Sequence, residues 1–165
     1  MVTKYKEIIR QVSYRPMRND EFDFWAERSL EDYAEDLMEN HLYSRKKAVT
    51  EALHSFRTTL SEGINTPNQY FRIYELESQA VGYIWFSLED KCAFLSDIML
   101  LPEFQGKGIG KHFIRAFIDE MVTEKALELE LRVSPSNHRA ISLYKELGFR
   151  ITGFDMSLLI RQNRS

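Results

Sequence analysis

The chain has 165 residues, which is the usual size of a single domain. Its 22 Lys and Arg against 25 Asp and Glu leave a net charge of −3, which excludes the broad basic surface needed for non-specific nucleic-acid binding. A hydrophobic content of 44% is too high for a disordered chain, and no apolar run reaches the length of a membrane span. The single cysteine, Cys92, excludes an internal disulfide framework and a multi-cysteine metal site.

The amino-terminal region predicts a polar arm followed by a strand. Residues 1–11 are mixed and polar and lack the apolar core of a secretory signal. We therefore expect a cytoplasmic protein with no membrane and no nucleic-acid partner, built as one domain over residues 12–165. Val12 to Arg15 predicts a first strand, which Pro16 ends.

Two helices are predicted next. Apolar residues from Phe22 to His41 recur at three- and four-residue steps, which indicates a long helix capped by Asn19 and broken near Ser29. A second apolar face runs from Val49 to Leu60, and the glycine and proline after it end this helix.

From Tyr70 onward, apolar residues recur at every second position instead of every third or fourth. Tyr70 to Leu76, Ala80 to Leu88 and Cys92 to Leu101 read as strands joined by short polar turns, and Pro102 ends the third. Three strands with such short connections predict an antiparallel meander.

The last third of the chain predicts a β-α-β unit with a helix and two strands after it. Ile109 to Met121 has a helical period and Leu127 to Val133 alternates strictly, so these elements require a parallel strand pair. A helix begins at Asn137, and Phe149–Thr152 and Asp155–Ile160 are predicted as final strands. The fold class is α/β, with a mixed, mostly antiparallel sheet and helices on both faces.

A glycine-rich loop joins the third meander strand to the following helix. It comprises Gln105, Gly106, Lys107, Gly108, Ile109, Gly110 and Lys111. Glycines let a backbone approach a ligand, and a helix amino terminus attracts anions, so the loop could hold a pyrophosphate to which Lys107 and Lys111 add charge. The alternative is a tight strand-to-helix connection that binds nothing.

Two phosphate-binding patterns fail in this loop. The Walker pattern needs Ser or Thr after its Gly-Lys pair, but Gly108 follows Lys107 and His112 follows Lys111. The dinucleotide fingerprint needs a third glycine where Lys111 stands. The pattern present is Q-x-x-G-x-G.

The stretch from Asp97 to Gly110 resembles the acetyl-CoA motif of the GNAT superfamily of N-acetyltransferases. A second stretch, Val133 to Phe149, resembles a further motif of the same superfamily, with its Asn-x-x-Ala-x-x-Leu-Tyr-x-x-x-Gly-Phe run. The resemblance covers about residues 12 to 160, and the order of the predicted elements is also that of the family.

The resemblance implies acetyl-CoA as co-substrate, and the spacing of the histidines and the single cysteine predict no metal site. The resemblance places acetyl-CoA in a gap where the parallel strands ending near Leu100 and Val133 splay apart. Backbone of Met99 and Leu100 would pair with the pantetheine arm, and a backbone N–H near Leu100 would polarise the acetyl carbonyl. The loop from Gln105 to Lys111 would hold the pyrophosphate, and Asn137 would contact the pantetheine arm or order waters beside it.

Two residues are candidates for proton transfer. The resemblance implies that Tyr144 protonates the departing thiolate, although its helical position also fits a core tyrosine. Asp97 is the first candidate for the general base, because its strand would pass beside the acetyl group. The alternatives are a structural carboxylate or a proton transfer through water.

These residues predict an N-acetyltransferase that moves acetyl directly from acetyl-CoA to a primary amine. A non-catalytic acyl-CoA-binding module on the same fold and a longer acyl group stay open as alternatives. The acceptor could be a small amine, a polyamine, an amino acid, an aminoglycoside or a protein amino terminus. The four histidines lack metal-binding spacing, and a homodimer is compatible with the sequence.

Overall fold

The computed structural model describes residues 12–160, so the predicted arm at 1–11 and the last five residues lie outside it. The chain divides into two compact units. The first contains residues 12–29 and 57–132, and the second contains residues 30–56 and 133–160. No helix within the described range is long and apolar enough to cross a membrane.

The first unit holds a five-stranded sheet with the order β1-β2-β3-β4-β5. Its strands are β1 Val12–Pro16, β2 Gln69–Leu76, β3 Gln79–Glu89, β4 Cys92–Leu100 and β5 Glu128–Leu131. Neighbours from β1 to β4 are antiparallel, and β4 and β5 are parallel. The mixed, mostly antiparallel sheet predicted from the sequence is therefore confirmed.

The described residues form four α-helices: α1 Asn19–His41, α2 Arg45–Thr59, α3 Ile109–Thr123 and α4 His138–Glu146. The predicted break of α1 near Ser29 is wrong, because the helix is continuous over 23 residues. Its sequence contains neither Gly nor Pro, so nothing interrupts its hydrogen bonds, and Ser29 is buried without ending it.

Within the first unit, helices cover both faces of the sheet. On one face, Phe113 and Phe117 of α3 are fully buried against Ile84 and Phe86. This contact is so close that a Cβ on Gly82 would lie 2.7 Å from Cε1 of Phe113.

On the other face, the first turns of α1 pack against aromatic residues of β2 and β3. The ring centroids of Trp25 lie 5.2 Å from Phe71 and 5.7 Å from Trp85. Burying one such large side chain contributes about 2 kcal/mol or more.

A polar network ties the first two strands to α3. The Tyr14 hydroxyl donates to Oε2 of Glu120 at 2.6 Å, and Nε of Arg72 donates to Oε1 at 2.9 Å. Burial, and then the bond to Glu120, raises the pKa of Tyr14 far above its usual range, so this tyrosine stays a donor.

The second unit has a small core of its own. Ala34 and Leu37 of α1 pack with Ala48 and Ala52 of α2. The helix α4 begins after Asn137, whose Oδ1 accepts a hydrogen bond from the Ala140 N–H at 3.1 Å.

The two strands predicted at Phe149–Thr152 and Asp155–Ile160 are wrong for the described chain. Residues 149–160 form no strand, and residues 151–160 are exposed. Alternation makes a segment suitable for a strand, but a strand exists only where a partner completes its hydrogen-bond ladder.

Candidate active site

The second half of β4 extends beyond its parallel partner. The ladder pairs Cys92 with Glu128 and ends where Leu95 pairs with Leu131, whereas β4 continues to Leu100. Residues 97–100 therefore pair with β3 on one side and have no strand partner on the β5 side among the described residues. Because β5 ends at Leu131, the ladder stops where that strand does, and the predicted splaying of the two parallel strands stays a prediction.

A single hydrogen bond shows to which side the backbone N–H and carbonyl groups at the end of β4 point. The Leu101 N–H donates to the Val81 carbonyl of the neighbouring chain segment at 2.9 Å. Because successive backbone groups of a strand point to opposite sides, the N–H of Leu100 points away from β3. The Leu100 carbonyl also points away, and Nε2 of Gln105 donates to it at 2.9 Å. The same alternation directs the backbone of Met99 towards β3.

A β-bulge in the middle of β4 determines where Asp97 points. Trp85 pairs with Asp97 and Phe86 with Leu95, so Ser96 is the extra residue. Before the bulge, Ala93 and Leu95 face the α3 side; beyond it, Ile98 and Leu100 do. Asp97 is thereby turned to the opposite face, towards α1.

Asp97 meets a buried tryptophan on that face. The indole Nε1 of Trp25 donates to Oδ2 of Asp97 at 2.8 Å. The Trp25 side chain has 0% exposure, whereas Asp97 is half-buried. A rigid aromatic residue thus orients a carboxylate that solvent can still reach, which is an arrangement suited to proton transfer.

The glycine loop follows β4 after a short 3₁₀ turn at Pro102–Phe104. Gly106 and Gly108 have φ angles of 76° and 78°, in the left-handed region that favours glycine. Gly108 is also the residue from which α3 starts, and no side chain caps this helix end. Open space lies where a Cβ on Gly108 would stand.

Charge at this helix end favours an anion. The first turn of α3 contains no acidic residue and includes Lys111, while Lys107 lies in the exposed loop with its Nζ 5.8 Å from the Phe104 ring centre. The backbone N–H groups of a first helical turn have no partners within the helix, so they can bind phosphate oxygens.

The remaining predicted site residues lie in the second unit. Tyr144 on α4 is 8% exposed, and its ring packs edge-on against Phe149 with centroids 5.5 Å apart. Asn137 is exposed and uses its side-chain oxygen to cap α4. The functional roles predicted for both residues stay predictions.

Cys92 lies beside two carboxylates at the start of β4. Its Sγ and the carboxylate oxygens of Glu128 and Glu130 lie within 4.8 Å of one another. Burial, followed by the charges of Glu130 and Glu128, raises the pKa of the Cys92 thiol. The thiol is therefore a poor nucleophile.

Within the first unit, the structure brings together Asp97, Leu100 and the glycine loop along one strand end. Sequence reasoning missed the bulge and the Trp25 contact. A signal for the bulge was present, because the apolar alternation Ala93–Leu95 resumes out of phase at Ile98 and Leu100. No pattern in the sequence pairs Trp25 with Asp97, which are 72 residues apart.

The comparisons with known proteins all identify the same family. The model of the acetyltransferase (GNAT) family matches residues 18–149. The chain is 25% identical over 146 residues to an uncharacterized N-acetyltransferase, YdgE, of Bacillus subtilis, covering 85% of this chain and 92% of YdgE.

Solved structures share the fold. YycN of Bacillus subtilis superposes with a TM-score of 0.85 at 26% identity, covering 92% of this chain and 99% of YycN. The aminoglycoside N-acetyltransferase AAC(6')-Iy in complex with CoA has a TM-score of 0.57 at 19% identity and covers 91% of this chain and all of that one. With a family match that spans most of its length, this chain belongs to the acetyltransferase (GNAT) family and is an N-acetyltransferase.

Proposed function

We propose that the enzyme transfers the acetyl group of acetyl-CoA to a primary amine by direct attack, with both substrates bound at once. One observation carries this proposal: the half of β4 beyond its parallel ladder leads, through a short 3₁₀ turn, into an exposed glycine loop at the start of α3. An extended pantetheine arm suits a strand edge, and a pyrophosphate suits the helix end that follows it.

The pyrophosphate is held by the loop from Gln105 to Lys111. The left-handed glycines bring the backbone close to the ligand without a Cβ between them, and the N–H groups of Ile109, Gly110 and Lys111 at the start of α3 donate to phosphate oxygens. The ammonium groups of Lys107 and Lys111 add positive charge at the same place.

The Leu100 N–H is the donor to the acetyl carbonyl or to the pantetheine amide. Its direction, away from β3, supports this role. Met99 directs its backbone to β3, so its contribution to the site is its side chain, which is half-buried. A bound pantetheine arm extends the sheet from the β4 edge.

Asp97 accepts the proton that the attacking ammonium group must lose. The Trp25 indole holds one carboxylate oxygen, and this fixes the side chain for an acceptor approaching from the exposed side. As the carbon–sulfur bond of the thioester breaks, Tyr144 donates its hydroxyl proton to the thiolate. The motif around Tyr144 supports this role. Asn137 would contact the pantetheine arm or order waters beside it. The hydrogen bond by which Asn137 caps α4 keeps its side chain in place, which supports that role.

The acceptor is a primary amine on a small molecule or a peptide. A net charge of −3 favours a cationic acceptor only weakly, so the class of amine is decided by experiment. A homodimer is part of the proposal, as is a reducing, cytoplasmic location, to which the free thiol of Cys92 is suited.

Calorimetric titration with acetyl-CoA tests the cofactor site, with CoA, ATP and NAD as controls. We expect saturable binding of acetyl-CoA and CoA only. At a free concentration about 100 times Kd, binding should add roughly 2.7 kcal/mol to the free energy of unfolding. Equal binding of ATP or NAD, or no binding of acetyl-CoA, would contradict the proposal.

Thiol release from acetyl-CoA tests the reaction. A panel of polyamines, amino acids, aminoglycosides and peptides with free amino termini should contain at least one acceptor that releases CoA in proportion to acetylated product. Binding of acetyl-CoA without release on any amine would instead favour the acyl-CoA-binding module.

A further inference from the structure

Tyr83 on β3 is a buried tyrosine whose hydroxyl has no protein partner. The residue is 5% exposed, and its hydroxyl makes no hydrogen bond to any other residue in the range 12–160. Every side-chain oxygen or nitrogen in this range that is completely shielded from solvent has a partner, so the Tyr83 hydroxyl must reach the surface. Buried polar groups are almost always hydrogen-bonded, which makes this hydroxyl available to a ligand.

Arg28 is a cation without an ion pair on the helix that packs against Tyr83. Its Cζ atom lies 4.6 Å from the centre of the Phe24 ring, one turn earlier on α1. The Phe24 and Tyr83 ring centroids are 5.5 Å apart. Although Glu31 and Asp32 follow within a turn, Arg28 pairs with no carboxylate of the described chain. The aromatic contact thus holds the guanidinium and leaves its N–H donors for a ligand.

The uncompensated charge near the Tyr83 hydroxyl is positive. Burial, and then the charge of Glu21, raises the pKa of Tyr83, whereas Arg28 and Arg15 lower it. Glu21 is already paired, because its carboxylate accepts from Arg15 at 2.7 Å and lies 2.9 Å from a guanidinium nitrogen of Arg18. The charge of Arg28 is the one that no such partner balances. A protonated hydroxyl beside a free guanidinium is suited to an anion.

Tyr83 and Asp97 lie close together on the same face of the sheet. β3 pairs Tyr83 with Met99, two residues after Asp97 on β4. Both contact α1, Tyr83 through Phe24 and Asp97 through the next residue, Trp25. Diagonal neighbours of this kind have backbones about 7 to 8 Å apart. A molecule of a few carbon atoms spans that distance.

We propose that Arg28 and the Tyr83 hydroxyl bind a carboxylate of the acceptor while its amino group faces Asp97. The acceptor is then a small amino acid, with the reacting amine at one end and the carboxylate at the other. An arginine binds a carboxylate through two parallel N–H donors, and a tyrosine hydroxyl adds a third. Polyamines and aminoglycosides carry no carboxylate and should be poor acceptors. This inference rests on the proposed function, because Asp97 marks where the amine reacts.

Turnover of matched acceptors tests recognition of the carboxylate. A series of ω-amino acids of increasing length is compared with the corresponding carboxamides, which have nearly the same shape and no negative charge. We expect the wild type to favour the carboxylate of the best length by about tenfold or more in kcat/KM, measured as CoA release. A wild type without this preference would overturn the proposal.

Matched variants assign the preference to its residues. Arg28→Met keeps the apolar contact with Phe24 and removes the charge, so the preference should fall below about threefold. Tyr83→Phe keeps the ring and should lower the preference by a smaller factor. Arg115→Met is the control, because it removes an exposed charge from α3, on the opposite face of the sheet, and it should keep the wild-type preference. An Arg28→Met variant that also keeps it would overturn the proposal.

Calorimetric titration of the same acceptors into the enzyme without acetyl-CoA separates this inference from the proposed function. Selective binding of the carboxylates that is lost in Arg28→Met, without CoA release, would support the site and contradict acetyl transfer to these amines. CoA release with no selectivity for the carboxylate in either measurement would support acetyl transfer and overturn the site. Neither binding nor release would overturn both.

Discussion

The indole N–H of Trp25 donates to the carboxylate of Asp97 at 2.8 Å, across 72 residues of sequence. This bond connects the first turns of α1 to the middle of β4, where the bulge at Ser96 turns Asp97 away from the α3 side. A fully buried donor therefore controls the orientation of the one acidic side chain that the sequence places beside the expected acetyl group.

Asp97→Asn should remove the proton acceptor while keeping the contact with Trp25. The amide oxygen can still accept from the indole, so the fold should be retained. We expect kcat/KM to fall by about 10² or more, and the acid-side decline of its pH profile to disappear. Trp25→Phe, which removes the donor that orients the Asp97 carboxylate, should lower kcat/KM by a smaller factor than Asp97→Asn. An unchanged profile in Asp97→Asn would assign the proton transfer to water.

Tyr144→Phe should lower kcat strongly and leave the affinity for acetyl-CoA nearly unchanged. The phenyl ring can keep the edge-on contact with Phe149, so thermal unfolding should change little. Loss of a general acid costs about 10² to 10⁴ in rate. Stopped-flow turnover and calorimetric titration separate the two effects. Full turnover in the variant would contradict the general-acid role and leave Tyr144 with a packing role in the second unit.

Gly108→Ala should weaken acetyl-CoA binding and also lower the free energy of unfolding. The φ of 78° at this position costs a residue with a Cβ about 1 kcal/mol, although nothing lies within 4 Å of the added atom. Relief of that strain would also turn the loop N–H groups away from the pyrophosphate. Gly153→Ala is the matched control, because its Cβ also meets nothing within 4 Å and its φ is not left-handed. Chemical denaturation and titration with CoA measure the two losses. Identical behaviour of the two variants would contradict the loop assignment.

Glu120→Ala should be among the most destabilising polar substitutions in the first unit. It removes the shared acceptor of Tyr14 and Arg72, whose side chain is 19% exposed, and leaves both donors in a partly buried site. Breaking such a pair from one side costs about 3 kcal/mol. Urea unfolding gives the value, with the exposed Glu51→Ala on α2 as control, for which we expect less than about 0.5 kcal/mol. A loss below 1 kcal/mol for Glu120→Ala would mean that water replaces the network.

Lowering the pH should reduce the free energy of unfolding, because it protonates the carboxylates that pair with Arg15. Its guanidinium donates to Glu21 and Glu75, and these hydrogen bonds lower the pKa of both carboxyl groups below the ordinary 4.5. Their contribution to stability is present above that value and is lost as the pH falls through the lowered values. Between about pH 6 and about pH 3, the free energy of urea unfolding should fall more steeply in the wild type than in Arg15→Met. Parallel pH dependence in the two proteins would show that this network does not stabilise the fold.

The meander, the glycine loop and the family motifs were readable from the sequence because they depend on local rules. A period of two specifies strands, glycine specifies left-handed turns, and Asn137 specifies a helix start; each signal spans only a few residues. From these features the sequence predicts an acetyl-CoA site at the end of β4.

Other features were decided only by tertiary structure. The bulge at Ser96 determines which face Asp97 joins, and the partner of Asp97 comes from a helix 72 residues away. Residues 154–158 alternate between apolar and polar side chains as a strand does, yet they form no strand in the structure. Side-chain pattern is a property of one segment, whereas a hydrogen-bond ladder needs two segments, and only the folded protein brings the second beside the first.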